Sequence, residues 1–155
     1  AGLIRGRSIT AACAASLYIA CQLCGVPRTL DEVAQKLQQG RKEIGRTVRI
    51  IKRKLKMKPI TTKPEHYIDR FCSDLELRSE AIVLCHQWMK EIKRLELDSG
   101  RGPVGIAAAL IYMASIVTGQ NRTQREIADI TNVTEVTIRN RYKELSKALN
   151  VEVSV

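Results

Sequence analysis

Four residues near the C-terminus have the types and spacing to read DNA. Val136, Arg139, Asn140 and Lys143 recur at i, i+3, i+4 and i+7, which places them on one face of a helix. Such a face carries hydrogen-bonding groups and a small apolar group, the equipment for contacting base edges in a major groove. A second group, Arg41 to Lys58, holds nine basic residues and one acid, Glu43. Cations that one-sided suit phosphate or an acidic protein surface. Catalytic chemistry finds no support. There are no paired carboxylates with a flanking His, no Gly-rich phosphate loop and no nucleophile beside a base. His66 and His86 fall within helical patterns and read as surface or packing residues. The five cysteines, Cys13, Cys21, Cys24, Cys72 and Cys85, are an odd number, which argues against a disulfide framework. Cys21 and Cys24 form a C-x-x-C, but no second pair stands at zinc-ligand spacing. Buried free thiols are the expectation.

The elements that must position the reading face can be read from the same stretch. Thr123 and Glu126 have capping-box spacing and open a short helix with Ile127, Ala128 and Ile130 inward. Asn132 sits where the chain must turn, and Asn tolerates a left-handed backbone. Thr134 caps a second helix, and Ile138, Tyr142, Leu145 and Leu149 form its buried stripe. Two short helices joined by a tight turn make a helix-turn-helix.

The net charge of +10 lies wholly in the first part of the chain. Residues 1–58 hold thirteen Lys/Arg against three Asp/Glu, and residues 59–155 hold thirteen against thirteen. That asymmetry predicts an anionic partner for the first part. The apolar fraction of 45% is enough for a core and excludes disorder as the default. The apolar run from Ile106 to Val117 is too short to span a bilayer, and the N-terminus shows no signal peptide. A soluble intracellular protein is expected.

The chain also repeats itself at an offset of 94 residues. Arg7 falls on Arg101, Tyr18 on Tyr112, Gly25 on Gly119, Thr29 on Thr123, Glu32 on Glu126, Ile44 on Ile138 and Leu55 on Leu149. No gap is needed from Arg7 to Leu55. The predicted fold is therefore all-α, with two tandem copies of one helical unit, residues 1–58 and 59–155. In the first, Ser8 caps a small-residue helix (Ala11, Ala12, Ala14, Ala15, Ser16, Ala20) to about Cys24. Thr29 and Glu32 repeat the capping box, and a third helix from Arg41 turns Ile44, Val48, Ile51 and Leu55 inward. The second copy adds two helices. Tyr67, Ile68, Phe71 and Leu75 line one, and Ala81, Cys85, Trp88, Ile92 and Leu95 the other. Pro103 then starts its small-residue helix through Val117. Three helices against five predict an incomplete first copy, a fragment of a longer protein.

These features resemble a known family. PRTLDE in the first copy, RTQREIA and VTEVTIRNRYKEL in the second, and RGRS, YIAC, VPRT and KEIGRT look like the cyclin-like core of transcription factor B, the archaeal counterpart of eukaryotic transcription factor IIB. The resemblance covers nearly the whole chain. It implies a transcription initiation factor, not an enzyme, that clamps TATA-binding protein on bent promoter DNA and helps recruit RNA polymerase. It implies that Val136 and Arg139 read the B recognition element, with Thr137, Asn140 and Arg141 near the DNA backbone. Gly6 and Arg7 match a minor-groove contact downstream of TATA. Arg41, Lys42 and Arg46 match the face that meets the acidic stirrup of TATA-binding protein. Gln22 departs from the family, which often has Arg there. The family's zinc ribbon lies outside this chain, so no cofactor or metal is expected in it. The resemblance further implies a monomer working in the cytoplasm of an archaeon, at the nucleoid, or in a nucleus if eukaryotic. A helix-turn-helix repressor and a cyclin-type interaction module are the alternatives.

Overall fold

The computed structural model describes residues 8–26, 28–60, 62–99 and 102–153. Among them there are eight helices and no strand. The chain divides into two units, residues 1–62 and 63–155. The first holds α1 (Ile9–Leu23), α2 (Leu30–Lys36) and α3 (Arg41–Lys54). The second holds α4 (Glu65–Asp74), α5 (Ser79–Arg94), α6 (Pro103–Val117), α7 (Gln124–Thr131) and α8 (Glu135–Leu149).

Shifting α1 by 94 residues lands on both ends of α6, and α2 and α3 land on α7 and α8 to within one residue. The local chemistry explains the match. Ser8 accepts from the Ala11 N–H at 3.3 Å and starts α1. Thr29 and Glu32 form a complete capping box at α2, as Thr123 and Glu126 do at α7. Gly25 and Gly119 take φ of 71° and 67° after α1 and α6, where a Cβ would be strained. The chain then closes each helix with a long-reach bond, Val26 N–H to the Cys21 carbonyl at 3.1 Å and Gln120 N–H to the Ser115 carbonyl at 2.8 Å.

The core of the first unit is Ala14, Ala15, Ile19, Val33, Ala34, Ile44, Val48 and Ile51. That of the second is larger and is built around α6, which is buried without a break from Ile106 to Ser115. Tyr67 and Phe71 stack at 5.6 Å in it, and Ile68, Ile127, Ile138 and Leu145 belong to the same core. Each large apolar side chain taken fully out of water contributes about 1.5–3 kcal/mol.

Several expected core positions are not core. Leu55 is 54% exposed and Leu95 is 41% exposed. Both are C-caps: α3 and α5 end one residue earlier, so the 3.6-residue stripe stops before reaching them. Trp88 is only half-buried, and Met89 takes the inward place between Cys85 and Ile92. Ser16 and Ala20 of α1 are exposed, because α2 and α3 pack on its other side. Cys13 and Cys24 are exposed for the same reason, and only Cys72 and Cys85 are buried thiols. No helix among the described residues is long and apolar enough to cross a membrane.

Candidate nucleic-acid and protein interfaces

Helix α8 is held from three sides. At its start, the Thr134 hydroxyl accepts from the Thr137 N–H at 3.3 Å and lies 2.9 Å from the Thr137 hydroxyl. Before it, Asn132 ends α7 in the left-handed region at φ 55°, a conformation Asn reaches at less cost than most residues. Along its inner side Ile138 and Leu145 are fully buried. Tyr142 packs its ring 4.9 Å from that of Tyr112.

The opposite face is open. Val136 is 61% exposed, and Arg139, Asn140 and Lys143 are exposed beside it. Arg139 is also steadied. Its Nε donates to Gln124 Oε1 at 3.2 Å, and Gln124 Nε2 donates to the Tyr112 hydroxyl at 3.3 Å. Among the described residues the two terminal nitrogens of Arg139 have no hydrogen-bond or ion-pair partner, and a guanidinium with both free suits end-on pairing with a guanine edge. Gln124 is the residue that sequence reasoning missed. The 94-residue register held the signal, since 124 and 139 are the counterparts of 30 and 45. In the first unit a Cβ on Gly45 would meet Leu30 Cδ2 at 3.3 Å.

Thr137 and Arg141 stand on the flank of α8. Thr137 serves the cap, and its methyl faces Gly105. Arg141 is half-buried and pairs with Glu144 at 2.7 Å. Gly6 and Arg7 lie outside the described residues.

The basic face of the first unit lies on α3. Lys42, Gly45, Arg46 and Arg49 occupy the register of Val136, Arg139, Asn140 and Lys143. The two third helices thus present the same face with different chemistry. Arg41, Lys42 and Arg46 are all exposed, but they are not equivalent. Arg41 Nε is 2.6 Å from Asp31 Oδ1, so its charge is already partly answered. Among the described residues no carboxylate pairs with Lys42, Arg46, Arg49 or Lys52. Arg49 Nε reaches the Gly45 carbonyl at 3.3 Å. Lys52 Nζ donates to Gln22 Oε1 at 2.8 Å, and Gln22 Nε2 donates to the Tyr18 hydroxyl at 2.9 Å. The departure at Gln22 therefore ties α1 to α3. Among the described residues no three His, Cys, Asp or Glu side chains converge as a metal site.

Comparison with known proteins places these faces in context. The family model described as transcription factor TFIIB repeat matches residues 1–54 and again 57–148. A transcription initiation factor IIB of Methanosarcina mazei is 54% identical over 151 residues, which are 97% of this chain and 45% of that protein. The Archaeoglobus fulgidus factor of the same name is 54% identical over 97% of this chain and 46% of its own length. That of Methanococcus maripaludis strain C7 is 52% identical over 99% of this chain and 45% of its own. The chain spans a little under half the length of these relatives.

Proposed function

The chain belongs to the transcription factor TFIIB repeat family, and from that premise we propose that it is the promoter-binding core of a transcription initiation factor. The second unit reads the B recognition element next to TATA with α8. The first unit grips TATA-binding protein with α3. RNA polymerase is recruited mostly through parts of the protein beyond this chain. The core works as a monomer and performs no catalysis.

The observation that carries this reading is the open face of α8, with Val136 and Arg139 outward on a helix locked by its cap and its inner stripe. Arg139 would take a guanine edge and Val136 a thymine methyl. Each good bidentate contact discriminates by about 1–3 kcal/mol. A single helix on one small unit binds DNA weakly and with strong salt dependence. Useful affinity then needs a second anchor, and Lys42, Arg46 and Arg49 of α3 supply one. DNA bent by a minor-groove partner brings both anchors within reach of one protein.

A footprint of the chain with TATA-binding protein on promoter DNA tests the proposal. Protection on both flanks of TATA, absent without TATA-binding protein, is the expected result. Equal protection without that partner would sink it. Changing Lys42 and Arg46 together to Glu should weaken the complex on every promoter by about tenfold or more, as lost interfacial charge pairs do. Arg41→Glu should do less, because Asp31 already holds that guanidinium.

A further inference from the structure

We propose that Glu135 sets specificity in the major groove: beside the base that Arg139 takes, it accepts a base with an exocyclic amine, adenine or cytosine, and turns away guanine and thymine. The proposal rests on the reading of α8 given above and deepens it. Glu135 is the first residue of α8 and is exposed. Arg139 follows it at i, i+4, so the two side chains leave the helix as neighbours. The first turn of a recognition helix is the part that reaches base edges.

Three observations single out this carboxylate. First, among the described residues Glu135 has no hydrogen-bond or ion-pair partner. Its neighbour Arg139 gives its Nε to Gln124 instead, at 3.2 Å. Second, the first unit uses the same place differently. At the 94-residue register Glu135 falls on Arg41, and Arg125 falls on Asp31. Arg41 and Asp31 are paired at 2.6 Å. The second unit carries the two charges exchanged, and Arg125 and Glu135 do not pair. Third, the sign of Glu135 is wrong for phosphate. An anion carried towards the duplex weakens binding on every sequence. A face that only held the backbone would gain from a neutral or basic residue there.

The base code says what such an anion can select. A carboxylate has acceptors alone. In the major groove adenine N6 and cytosine N4 present donors, whereas guanine O6 and thymine O4 present acceptors. Glu135 meets the first pair with a charge-assisted hydrogen bond. It meets the second with acceptor against acceptor, which leaves both groups desolvated and unpaired. Arg139 has the reverse chemistry, donors alone. One turn of α8 thus holds two readers of opposite preference.

The test is competition binding of the 155-residue chain with TATA-binding protein, on duplexes varied one base pair at a time upstream of TATA, alongside thermal melting. The unaltered chain should prefer adenine or cytosine over guanine or thymine about tenfold at one position beside that of Arg139. Glu135→Gln, whose amide donates as well as accepts, should bring that ratio within about twofold. It should also raise affinity on the guanine and thymine duplexes and leave the preference at the Arg139 position in place. A carboxylate in the first turn also steadies a helix against its own dipole. If that is its whole role, Glu135→Gln lowers melting and weakens all duplexes alike, and the inference fails. It fails too if Glu135→Gln and Glu135→Ala keep the ratio of the unaltered chain while Arg139→Ala loses its own preference; the reading of α8 then survives alone. If Arg139→Ala leaves every base preference unchanged, the reading of α8 falls and the role of Glu135 with it.

Discussion

α1 and α6 are the same helix in two settings. Their ends and their following glycines correspond at 94 residues. Their burial does not. Leu17 is 48% exposed, and its counterpart Ile111 is fully buried. Cys13, Ser16 and Ala20 are exposed, whereas Ala107, Leu110 and Ala114 are not. The cause is the cover. α6 is met by α4, α5, α7 and α8, and α1 only by α2 and α3 among the described residues. Arg122 shows what the cover adds: its Nη2 and Nε donate to the Leu75 carbonyl at 2.8 and 3.0 Å, closing the end of α4. Its counterpart Arg28 borders an open groove with Leu17 and Leu37. Local sequence therefore fixes where a helix starts and stops. Which of its faces is interior depends on what is packed against it.

The largest effect should come from truncating the two counterparts. Ile111→Ala should cost about 2–5 kcal/mol, the range for a fully buried aliphatic side chain. Leu17→Ala should stay within about 0.5 kcal/mol, as at an exposed site. Denaturant unfolding followed by circular dichroism reads both, and Trp88 fluorescence isolates the second unit. Comparable costs at the two positions would mean that α1 is as covered as α6, and the contrast would be lost.

The proposed reading face of α8 offers the next test. Arg139→Ala should remove about 1–3 kcal/mol of preference at one or two base pairs and leave the proposed grip on TATA-binding protein intact. Gln124→Ala should take a smaller share, about 0.5–1.5 kcal/mol, through a less fixed guanidinium. Competition binding across single-base promoter variants measures both. A uniform loss on all sequences would recast Arg139 as a phosphate contact. An unchanged preference in Gln124→Ala would dismiss the tether from Tyr112.

The smallest effect belongs to the helix starts that the two units share. Thr123 bonds, main chain first and hydroxyl second, hold the Glu126 carboxyl below its usual pKa of 4.5. A depressed folded-state pKa adds stability above the unfolded value and loses it as pH falls through the folded one. Acidification below about pH 4.5 should therefore loosen α7, and hydrogen exchange at its first turn reads it. Glu126→Gln should flatten that pH dependence; a slope that persists would assign the acid sensitivity elsewhere.

Much of the frame was legible in the sequence because it is local. The two capping boxes, the Asn132 turn, the span Pro103–Val117 and the outward face of α8 all follow from residues within a turn or two of one another. What escaped depended on distant partners. Leu55 and Leu95 were placed inside by extending a stripe past a helix end. Gln124 and Lys52 acquire their roles from partners fifteen and thirty residues away. No periodicity marks such a pair. The equality of Arg41, Lys42 and Arg46 dissolved for the same reason, once Asp31 was seen beside one of them.

The pairs Leu30 with Gly45 and Gln124 with Arg139 set a limit on how the two halves can exchange roles. An arginine at 45 would arrive under a leucine that leaves its first carbon little room and offers its head no acceptor. A glutamine at 30 alone would face a bare backbone with nothing to hold. Either change by itself passes through a misfit, so a converted α3 lies two substitutions away with no comfortable halfway point. The halves of this molecule are free to drift apart, but a lone mutation does not give α3 the outer face of α8.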